Sequence, residues 1–229
     1  MATISLCMIV KNESAVLARC LDSIADLMDE IIIVDTGSTD NTKEIAAQYT
    51  SRIYDFKWTS DFSAARNFSF SKATMEYIYT ADADEILDDA NRERFLRLKG
   101  ALLPEIEIVQ MKYVTQGTFD TVLNAKKEYR PKLFRRLRTF TWIDPIHETV
   151  RLTPVTFDSD VEILHCPQSL HSKRDFSIFI KAFEHDGQFS PKIRTMYAKE
   201  LLKTGDKKDF TDAKPIFQLI FDNDPADDA

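Results

Sequence analysis

Cysteine is scarce in this chain of 229 residues, which contains only Cys7, Cys20 and Cys166. The three are odd in number and widely spaced, and no pair stands in the C-x-x-C arrangement of a zinc or redox site. We therefore expect reduced thiols in a cytoplasmic protein. Because a chain of this length buries a large core, neither a disulfide nor a metal is needed to hold the fold together.

Long apolar runs are missing as well. The longest strongly apolar stretch, residues 31–34, is far shorter than the roughly 20 residues that cross a bilayer. The first five residues also lack the basic segment and apolar block of a secretory signal peptide. These patterns predict no transmembrane segment and a cytoplasmic location.

An excess of positive charge is absent: 37 acidic residues outnumber 30 basic ones, for a formal charge of −7. Nucleic-acid binders usually carry the opposite sign or a dense basic face, so no nucleic-acid partner is expected. One local basic cluster comprises Arg130, Lys132, Arg135, Arg136 and Arg138. It is interpreted either as a solvated strand or loop, or as a contact for a phosphate or an acceptor.

The first half of the chain alternates between strand and helix patterns. Apolar runs predict strands at residues 4–10, 30–35, 52–56 and 76–81. Apolar residues at steps of three and four predict a helix at residues 14–28, with Ser14 as its cap. Further helices are predicted at residues 42–49 and 63–72. Strands that are continuously apolar are typical of an α/β domain on a mostly parallel sheet.

The pattern changes after about residue 105. Residues 105–114 and 130–137 are predicted strands without a clear helix between them, which indicates a mixed sheet. From residue 173 onward the pattern is helical, and Pro191 and Pro225 stand one tetratricopeptide period apart. We therefore divide the chain into a domain at 1–172 and a helical segment at 173–229. The segment is interpreted as a truncated tetratricopeptide-like unit and as a candidate surface for oligomerisation.

Acidic and polar residues follow the predicted strands. Asp82 and Asp84, two apart at a strand end, can converge on a hard cation such as Mg²⁺ or Mn²⁺. Such a pair is a weak signal alone, but open α/β sheets bind ligands beyond the carboxyl ends of their strands. Asp35 lies at the end of the second strand, and Asn12 and Glu13 follow the first. We expect these side chains to share one rim.

The order of three segments resembles a family-2 glycosyltransferase of the GT-A fold: SLCMIVKNE at 5–13, VDTGSTDNT at 34–42 and DADE at 82–85. Residues 58–67, with the pattern W-x-x-D-F-S-x-x-R-N, and residues 142–148 fit a subgroup that often carries C-terminal tetratricopeptide-like helices. The resemblance covers about residues 3–170. It implies a Rossmann-like, nucleotide-sugar-binding domain that transfers a sugar from a nucleoside diphosphate, usually with inversion and with a divalent metal.

The resemblance also assigns metal ligands. Asp84 and Asp82 are the implied ligands of Mn²⁺ or Mg²⁺, and Asp82 contacts either the metal or the donor ribose. Ala83, between them, is counted with the donor-binding residues. His165 stands where related enzymes often place a further metal or phosphate contact, and the alternative is a satisfied core histidine.

The remaining donor-binding residues come from the first three segments. Asp35 resembles the nucleoside-binding aspartate of the family, placed to accept from a uracil N–H, and Asn12 and Glu13 are assigned to the same site. Arg66 is expected to be a second cation near the diphosphate or donor sugar; the alternative is a surface helix charge. Asn67 holds a sugar hydroxyl or caps the helix.

A single displacement also needs a base for the acceptor proton. The resemblance favours Glu148, with Asp144 as its substitute. His147 positions the acceptor or Glu148 and is counted with the donor-site residues. Asp144 departs from the subgroup pattern W-x-G-x-x-H-E, in which a glycine is common at that position, so the acceptor side is less well defined than the donor side.

The leading hypothesis is a metal-dependent inverting glycosyltransferase with a UDP-sugar donor and a protein, peptide or glycan acceptor. One alternative is a nucleotidyltransferase, but that class generally has a glycine-rich loop near the first strand, and residues 10–14 contain no glycine. The other alternative is a non-catalytic nucleotide-sugar-binding protein, or a scaffold that works through its C-terminal helices.

Overall fold

In a computed structural model of the chain, the described residues are 1–115, 127–136, 142–143, 145–146, 149–150, 155–166 and 172–223. The strands are Ile4–Val10 (β1), Glu30–Asp35 (β2), Ile53–Asp55 (β3), Tyr77–Thr80 (β4), Glu85–Ile86 (β5), Ile108–Thr115 (β6), Lys127–Arg135 (β7), Trp142–Ile143 (β8), Thr149–Val150 (β9) and Thr156–His165 (β10). The helices are Leu17–Ile24 (α1), Thr42–Ala46 (α2), Phe62–Phe70 (α3), Asp89–Ala101 (α4), Ser172–Asp186 (α5), Pro191–Thr204 (α6) and Lys207–Asn223 (α7), and a 3₁₀ turn, Ala25–Leu27, follows α1.

One sheet of eight strands has the order β3-β2-β1-β4-β7-β6-β10-β5, and β8 pairs with β9 separately. Strands β3, β2, β1 and β4 are mutually parallel. Strand β7 then runs antiparallel to both β4 and β6, and β5 runs antiparallel to β10. The mixed sheet and the α/β fold class predicted from the sequence are confirmed.

Helices α1 and α4 cover the central strands and form the main core with them. Leu17 and Leu21 of α1, one helical turn apart, are fully buried together with Leu6 of β1. Phe95 of α4 packs edge-on against Tyr79 of β4, with ring centroids 5.4 Å apart. This packing fixes β1 and β4 side by side, so the loops that follow their carboxyl ends emerge together.

The start of the first helix was predicted wrongly. Helix α1 begins at Leu17, and Val16 occupies the cap position without a side-chain bond to the helix. Ser14 instead donates its amide to the Asp40 carboxylate at 3.2 Å. The prediction of Ser14 as the cap fails because Asp40, which is distant in sequence, binds the amide of Ser14 and holds this residue in the loop before α1.

Helix α4 was not predicted from the sequence. Its buried residues, Asn91, Phe95 and Lys99, recur every four positions, but two of the three are polar. The polar residues on the buried face hide the apolar periodicity that would indicate a helix. The helix does have a cap, because the Asp88 carboxylate accepts from the Asn91 amide at 2.9 Å. Lys99 can be buried because its ammonium group donates to the Leu27 carbonyl and to Asp29.

Two compact units divide the chain, one formed by residues 1–58, 65–141 and 150–168, and the other by 59–64, 142–149 and 169–229. The second unit contains α5, α6 and α7, as the helical pattern from residue 173 predicts. Tyr197 of α6 stacks on Phe179 of α5 with ring centroids 4.5 Å apart. Asp206 precedes helix α7, and its carboxylate accepts from the amides of Lys208 and Asp209 in the first turn.

The cysteines are free thiols, with Cys7 and Cys20 buried. Burial raises the pKa of Cys7 to about 12, so this thiol stays protonated at neutral pH. Over the described ranges, none of the helices combines the length and the apolar character that crossing a membrane requires.

Candidate active site

The carboxyl ends of β1, β2 and β4 meet at one edge of the sheet, within the first unit. The three strands are parallel, and Val10 at the end of β1 is in register with Asp35 at the end of β2. Open parallel sheets bind ligands at this edge. The polar residues predicted to share a rim therefore follow neighbouring strand ends.

Asp35 is buried, and only one of its two carboxylate oxygens has a hydrogen-bond partner among the described residues. Its Oδ1 accepts from the amides of Gly37 and Ser38, both at 2.9 Å. Gly37 has a φ of 104°, a region that glycine enters without a steric penalty. Among the described residues, Asp35 Oδ2 is buried and has no hydrogen-bond partner. A buried acceptor without a donor is costly, so this oxygen is suited to an N–H from a ligand.

Asn12 and Glu13 hold the loops of this edge together. Asn12 adopts a φ of 55°. Its side-chain oxygen accepts from the Thr39 amide at 2.7 Å, and its main-chain amide donates to Ser38 Oγ at 2.9 Å. The Glu13 amide donates to Thr42 Oγ1 at 2.8 Å. Both residues lie at the predicted edge, and their role in donor binding stays a prediction.

Asp40 organises the same loops, and the sequence analysis did not single it out. Its carboxylate accepts from the Ser14 amide at 3.2 Å and from the Thr42 amide at 3.1 Å, and also from the Thr42 hydroxyl. Burial alone would raise the pKa of Asp40, but the bonds from Thr42 and Ser14 outweigh that effect and lower the pKa to about 2. The turn after β2 is thus held by an ionised carboxylate.

Asp84 and His165 are brought together across 81 positions of the chain, with Asp84 Oδ2 3.0 Å from His165 Nε2. The contact is built by the pairing of β5 with β10, in which Glu85 is opposite His165. The Cys166 amide extends the pairing by donating to the Asp84 carbonyl at 3.0 Å. The predicted metal ligands Asp84 and His165 therefore lie side by side.

The imidazole of His165 is held by an aromatic contact. Tyr113 of β6 packs against it with ring centroids 4.9 Å apart. His165 Nδ1 is buried and has no hydrogen-bond partner among the described residues. Only Nε2 of the imidazole is thus paired among the described residues, and the role of His165 as a metal or phosphate contact stays a prediction.

Arg66 of α3 reaches toward the other carboxylate of the motif. Its side chain is only 11% exposed, and Nη2 lies 3.9 Å from Oδ1 of Asp82, whose side chain is 50% exposed. The interpretation of Arg66 as a surface charge is therefore wrong. Asn67, the next residue of α3, is half-buried.

Several cations surround Asp82. Partial desolvation alone would raise the pKa of this carboxyl, but the nearby positive groups Lys132, Arg66 and Arg130 outweigh that effect and lower the pKa. Asp82 is therefore ionised at neutral pH, as metal binding requires.

The basic residues predicted to form one cluster make different contacts, and they lie in β7 and directly after it. Lys132 is buried and pairs with Glu85, and the Arg130 guanidinium lies 3.7 Å from the centre of the Tyr113 ring. Arg136 instead donates to a main-chain carbonyl, that of Met75. Burial raises the pKa of Glu85, and the Lys132 ammonium opposes the rise. Arg138 lies outside the described residues.

The pair Asp84 and His165 fits a divalent cation. Ligand atoms at about 2.1 Å from a metal with octahedral geometry stand about 3 Å apart, which matches the 3.0 Å between Asp84 Oδ2 and His165 Nε2. Within the described segments, no three His, Cys, Asp or Glu side chains converge into one metal site. Water and substrate phosphate commonly supply the other ligands of Mg²⁺, so two protein ligands suffice.

The other predicted site residues divide into two cases. The side chain of Ala83 lies in the hydrophobic core, so a donor contact at this position falls to its main chain. Asp144, His147 and Glu148 lie outside the described residues, and their roles stay predictions.

Comparisons with known proteins show what the chain is similar to. The family model described as Glycosyl transferase family 2 matches residues 5–153. The chain is 48% identical over 87 residues to a TPR repeat-containing protein of Synechococcus elongatus, and 33% identical over 132 residues to the glycosyltransferase SunS of Bacillus subtilis. These matches cover 38% and 56% of this chain but 22% and 31% of the two relatives. The chain thus spans less than a third of either relative's length.

Solved structures share the fold. A mycobacterial protein superposes with a TM-score of 0.58 at 17% identity, over 82% of this chain and 76% of that chain. The glucosyl-3-phosphoglycerate synthase of Mycobacterium tuberculosis, in complex with Mn²⁺, UDP-glucose and phosphoglyceric acid, gives 0.57 at 19% identity, over 82% and 81%. The predicted GT-A fold is confirmed. Because the family model covers most of the chain, the predicted family is confirmed too: this chain belongs to glycosyl transferase family 2.

Proposed function

We propose that the chain is a metal-dependent, inverting glycosyltransferase that moves a sugar from a UDP-sugar to a protein, peptide or glycan. The observation that carries the proposal is the pairing of Asp84 with His165 beside Asp82, at the carboxyl edge of the parallel strands. The UDP complexes of the mycobacterial synthase of like fold support the same donor class.

The uridine end of the donor is assigned to Asp35. Its Oδ2 is buried without a donor among the described residues, while Oδ1 is fixed by the turn after β2. A uracil N–H placed there satisfies the oxygen, whereas a base that presents an acceptor leaves it unpaired. Asn12 and Glu13 hold the loops around this position.

The diphosphate end is assigned to the acidic motif and its cations. Asp84 and His165 would hold Mn²⁺ or Mg²⁺, and Asp82 would contact either the metal or the donor ribose. When bound, the cation acts as a Lewis acid that neutralises charge on the leaving nucleoside diphosphate. Arg66 supplies a second positive charge with forked donors, and Asn67 follows it on the same helix.

The acceptor end is assigned to residues 144–148. Inversion by a single displacement requires a base that takes the acceptor proton as the new bond forms. We assign this role to Glu148, with Asp144 as the substitute and His147 as the residue that orients the acceptor or the base. The family resemblance supports this assignment.

The proposal extends to the partners and the cellular location of the enzyme. We assign α5–α7 to a tetratricopeptide-like unit that contacts partners or further copies of the chain. The free thiols Cys7 and Cys20 support a cytoplasmic location.

The metal assignment is tested by titrating UDP calorimetrically with Mn²⁺ and with EDTA. We expect Mn²⁺ to tighten UDP binding, and Asp84→Asn or His165→Ala to remove most of the tightening, because each variant removes one of two protein ligands. Equal UDP affinity of the wild type in both buffers would contradict metal dependence.

Product analysis with a panel of UDP-sugars separates the activities. Released UDP supports a glycosyltransferase, released pyrophosphate supports a nucleotidyltransferase, and binding without either product supports a non-catalytic sugar-nucleotide binder.

A further inference from the structure

We propose that the buried ion pair of Lys132 and Glu85 positions the turn at residues 82–84, so that Asp84 and His165 are set to bind one divalent cation together. Lys132 and Glu85 are positioning residues, and neither is assigned a contact with the metal or the donor. The inference rests on the proposed function, because the cation and UDP are the ligands of that site.

The ion pair is close and buried. Lys132 Nζ lies 2.5 Å from Glu85 Oε1 and 2.7 Å from Oε2. The two side chains are 7% and 2% exposed. Lys132 belongs to β7, whose neighbouring residue Leu133 is in register with Tyr79 of β4. The pair therefore ties Glu85 to a strand in the middle of the sheet.

Glu85 closes the turn that carries the two aspartates. Its amide donates to the Asp82 carbonyl at 3.1 Å, and its carboxylate accepts from the Asp82 amide at 3.3 Å. Glu85 also follows Asp84 directly in the chain. Main chain and side chain of one residue thus fix both ends of the turn.

Glu85 also faces His165. The two residues are opposite each other in the ladder of β5 and β10. Strand β5 is only two residues long and lies at the end of the sheet order, so its own ladder is a weak anchor. The side-chain bond to Lys132 supplies the missing anchor and holds Asp84 beside His165.

Stability alone is a poor explanation for this pair. Removing two charges from water costs several kcal/mol per ion, and well-packed apolar residues often stabilise a core as well or better. An ion pair with two short contacts does, however, fix the direction and distance of the residues it joins. Outer contacts of this kind typically change metal affinity about 10–100-fold when removed.

A second ion pair in the same unit, formed by a buried lysine and an exposed aspartate, provides a control. Lys99 Nζ lies 2.7 Å from Asp29 Oδ2, and the Lys99 side chain is 9% exposed. Asp29 accepts from the amide of Ile4, the first residue of β1, so this pair lies at the opposite edge of the sheet from the site. Lys99→Met removes a buried ammonium group and leaves residues 82–84 and 165 untouched.

The experiment compares the wild type with Glu85→Gln, Lys132→Met and Lys99→Met. UDP is titrated by calorimetry with Mn²⁺ and with EDTA, and thermal unfolding is followed without ligand. We expect the Mn²⁺-dependent gain in UDP affinity to fall about 10–100-fold in the two site variants, while their UDP affinity in EDTA stays within about twofold of the wild type. Lys99→Met should unfold at a lower temperature but keep the full gain.

Three results would overturn the inference. A wild type without any Mn²⁺-dependent gain would overturn it together with the proposed metal site. A normal gain in the wild type and in both site variants would overturn the inference alone. If Lys99→Met lost as much of the Mn²⁺-dependent gain in UDP affinity as the two site variants, the loss would reflect general destabilisation and not positioning. Should Lys132→Met fail to fold, the Mn²⁺-dependent gain in UDP affinity of Glu85→Gln decides the question, because this variant keeps the side-chain shape.

Discussion

At the scale of single residues, the clearest feature of the site is a carboxylate with one oxygen used and one unused. Asp35 Oδ1 binds two amides of its own turn, whereas Oδ2, among the residues described, has no partner. One oxygen therefore orders the loop, and the other is left for a ligand. The two tasks can be separated by substitution.

Asp35→Ala should weaken UDP binding by about tenfold or more, because a hydrogen bond to a charged group contributes about 1.5–3 kcal/mol. Asp35→Asn can keep the acceptor that binds Gly37 and Ser38 while placing an amide nitrogen at the other position. We expect it to weaken UDP as well, but with a smaller loss of thermal stability than the alanine variant. Competition by UDP, GDP and ADP measures base selectivity, and equal affinity for all three would contradict the assignment.

The acceptor side yields a separate residue-scale prediction. Glu148→Gln keeps the side-chain shape but cannot take a proton, so sugar transfer should fall by about 10²–10⁴-fold while UDP-sugar affinity stays near that of the wild type. Single-turnover transfer and donor titration measure the two quantities. Asp144→Asn is the control, and near-normal transfer by Glu148→Gln with a collapse in Asp144→Asn would move the base to Asp144.

At the scale of elements, the loops after β1 and β2 are joined by Asp40. Its folded pKa, about 2, lies below the ordinary value of 3.8. A carboxyl with a depressed folded pKa stabilises the fold fully above its unfolded pKa, and that stabilisation is lost as the pH falls through the folded pKa. The joint between the two loops should therefore weaken in acid between about pH 4 and pH 2.

Asp40→Asn should lower the free energy of unfolding by about 1.5 kcal/mol at neutral pH, the lower figure for bonds to a charged group, because the carboxyl lies near the surface. Urea denaturation from pH 7 to pH 2 measures the difference. We expect the variant and the wild type to converge at the acid end, and a difference that is independent of pH would contradict the role of the ionised carboxylate.

The elements differ in how far the sequence predicts them. Strands β1 and β2 have the bounds that their apolar runs predict, because buried parallel strands carry a continuous signal. Helix α4 was missed because Asn91 and Lys99 occupy two of its three buried positions. Strand β5 was missed because two residues carry no periodicity, and its place depends on pairing with β10.

The site shows the same division. Asp35, Asp82 and Asp84 could be found because Asp35 ends a predicted strand and the other two follow one. His165 was named only through a family resemblance, since 81 positions separate it from Asp84 and no spacing rule joins them. The roles of Lys132 and Glu85 could not be predicted, because a strand sequence does not tell which of its charges are buried.

At the scale of the whole molecule, a ligand at the sheet edge should protect only part of the chain. A ligand at 100 times its Kd stabilises by about 2.7 kcal/mol, which slows amide exchange about 100-fold wherever opening releases the ligand. With UDP and Mn²⁺ we expect this slowing at residues 34–42, 82–86 and 163–166.

Helices α6 and α7 serve as the internal reference for that measurement, since their amides lie in the second unit. Hydrogen exchange followed by mass spectrometry compares the two regions in one sample. Slowing confined to α6 and α7, with unchanged exchange at residues 82–86, would place nucleotide binding away from the acidic motif.

The burial of Ala83 restricts which sequences can occupy the acidic motif. The pattern D-x-D allows any residue in the middle, yet here Ala83 is only 5% exposed and lies in the main core. A larger side chain would have to displace packed neighbours, at a cost of typically 1–3 kcal/mol, and the shift would move the carboxylates on either side. In a randomised library, position 83 should therefore accept only small residues, and the spacing of the two acids depends on a residue with no functional group.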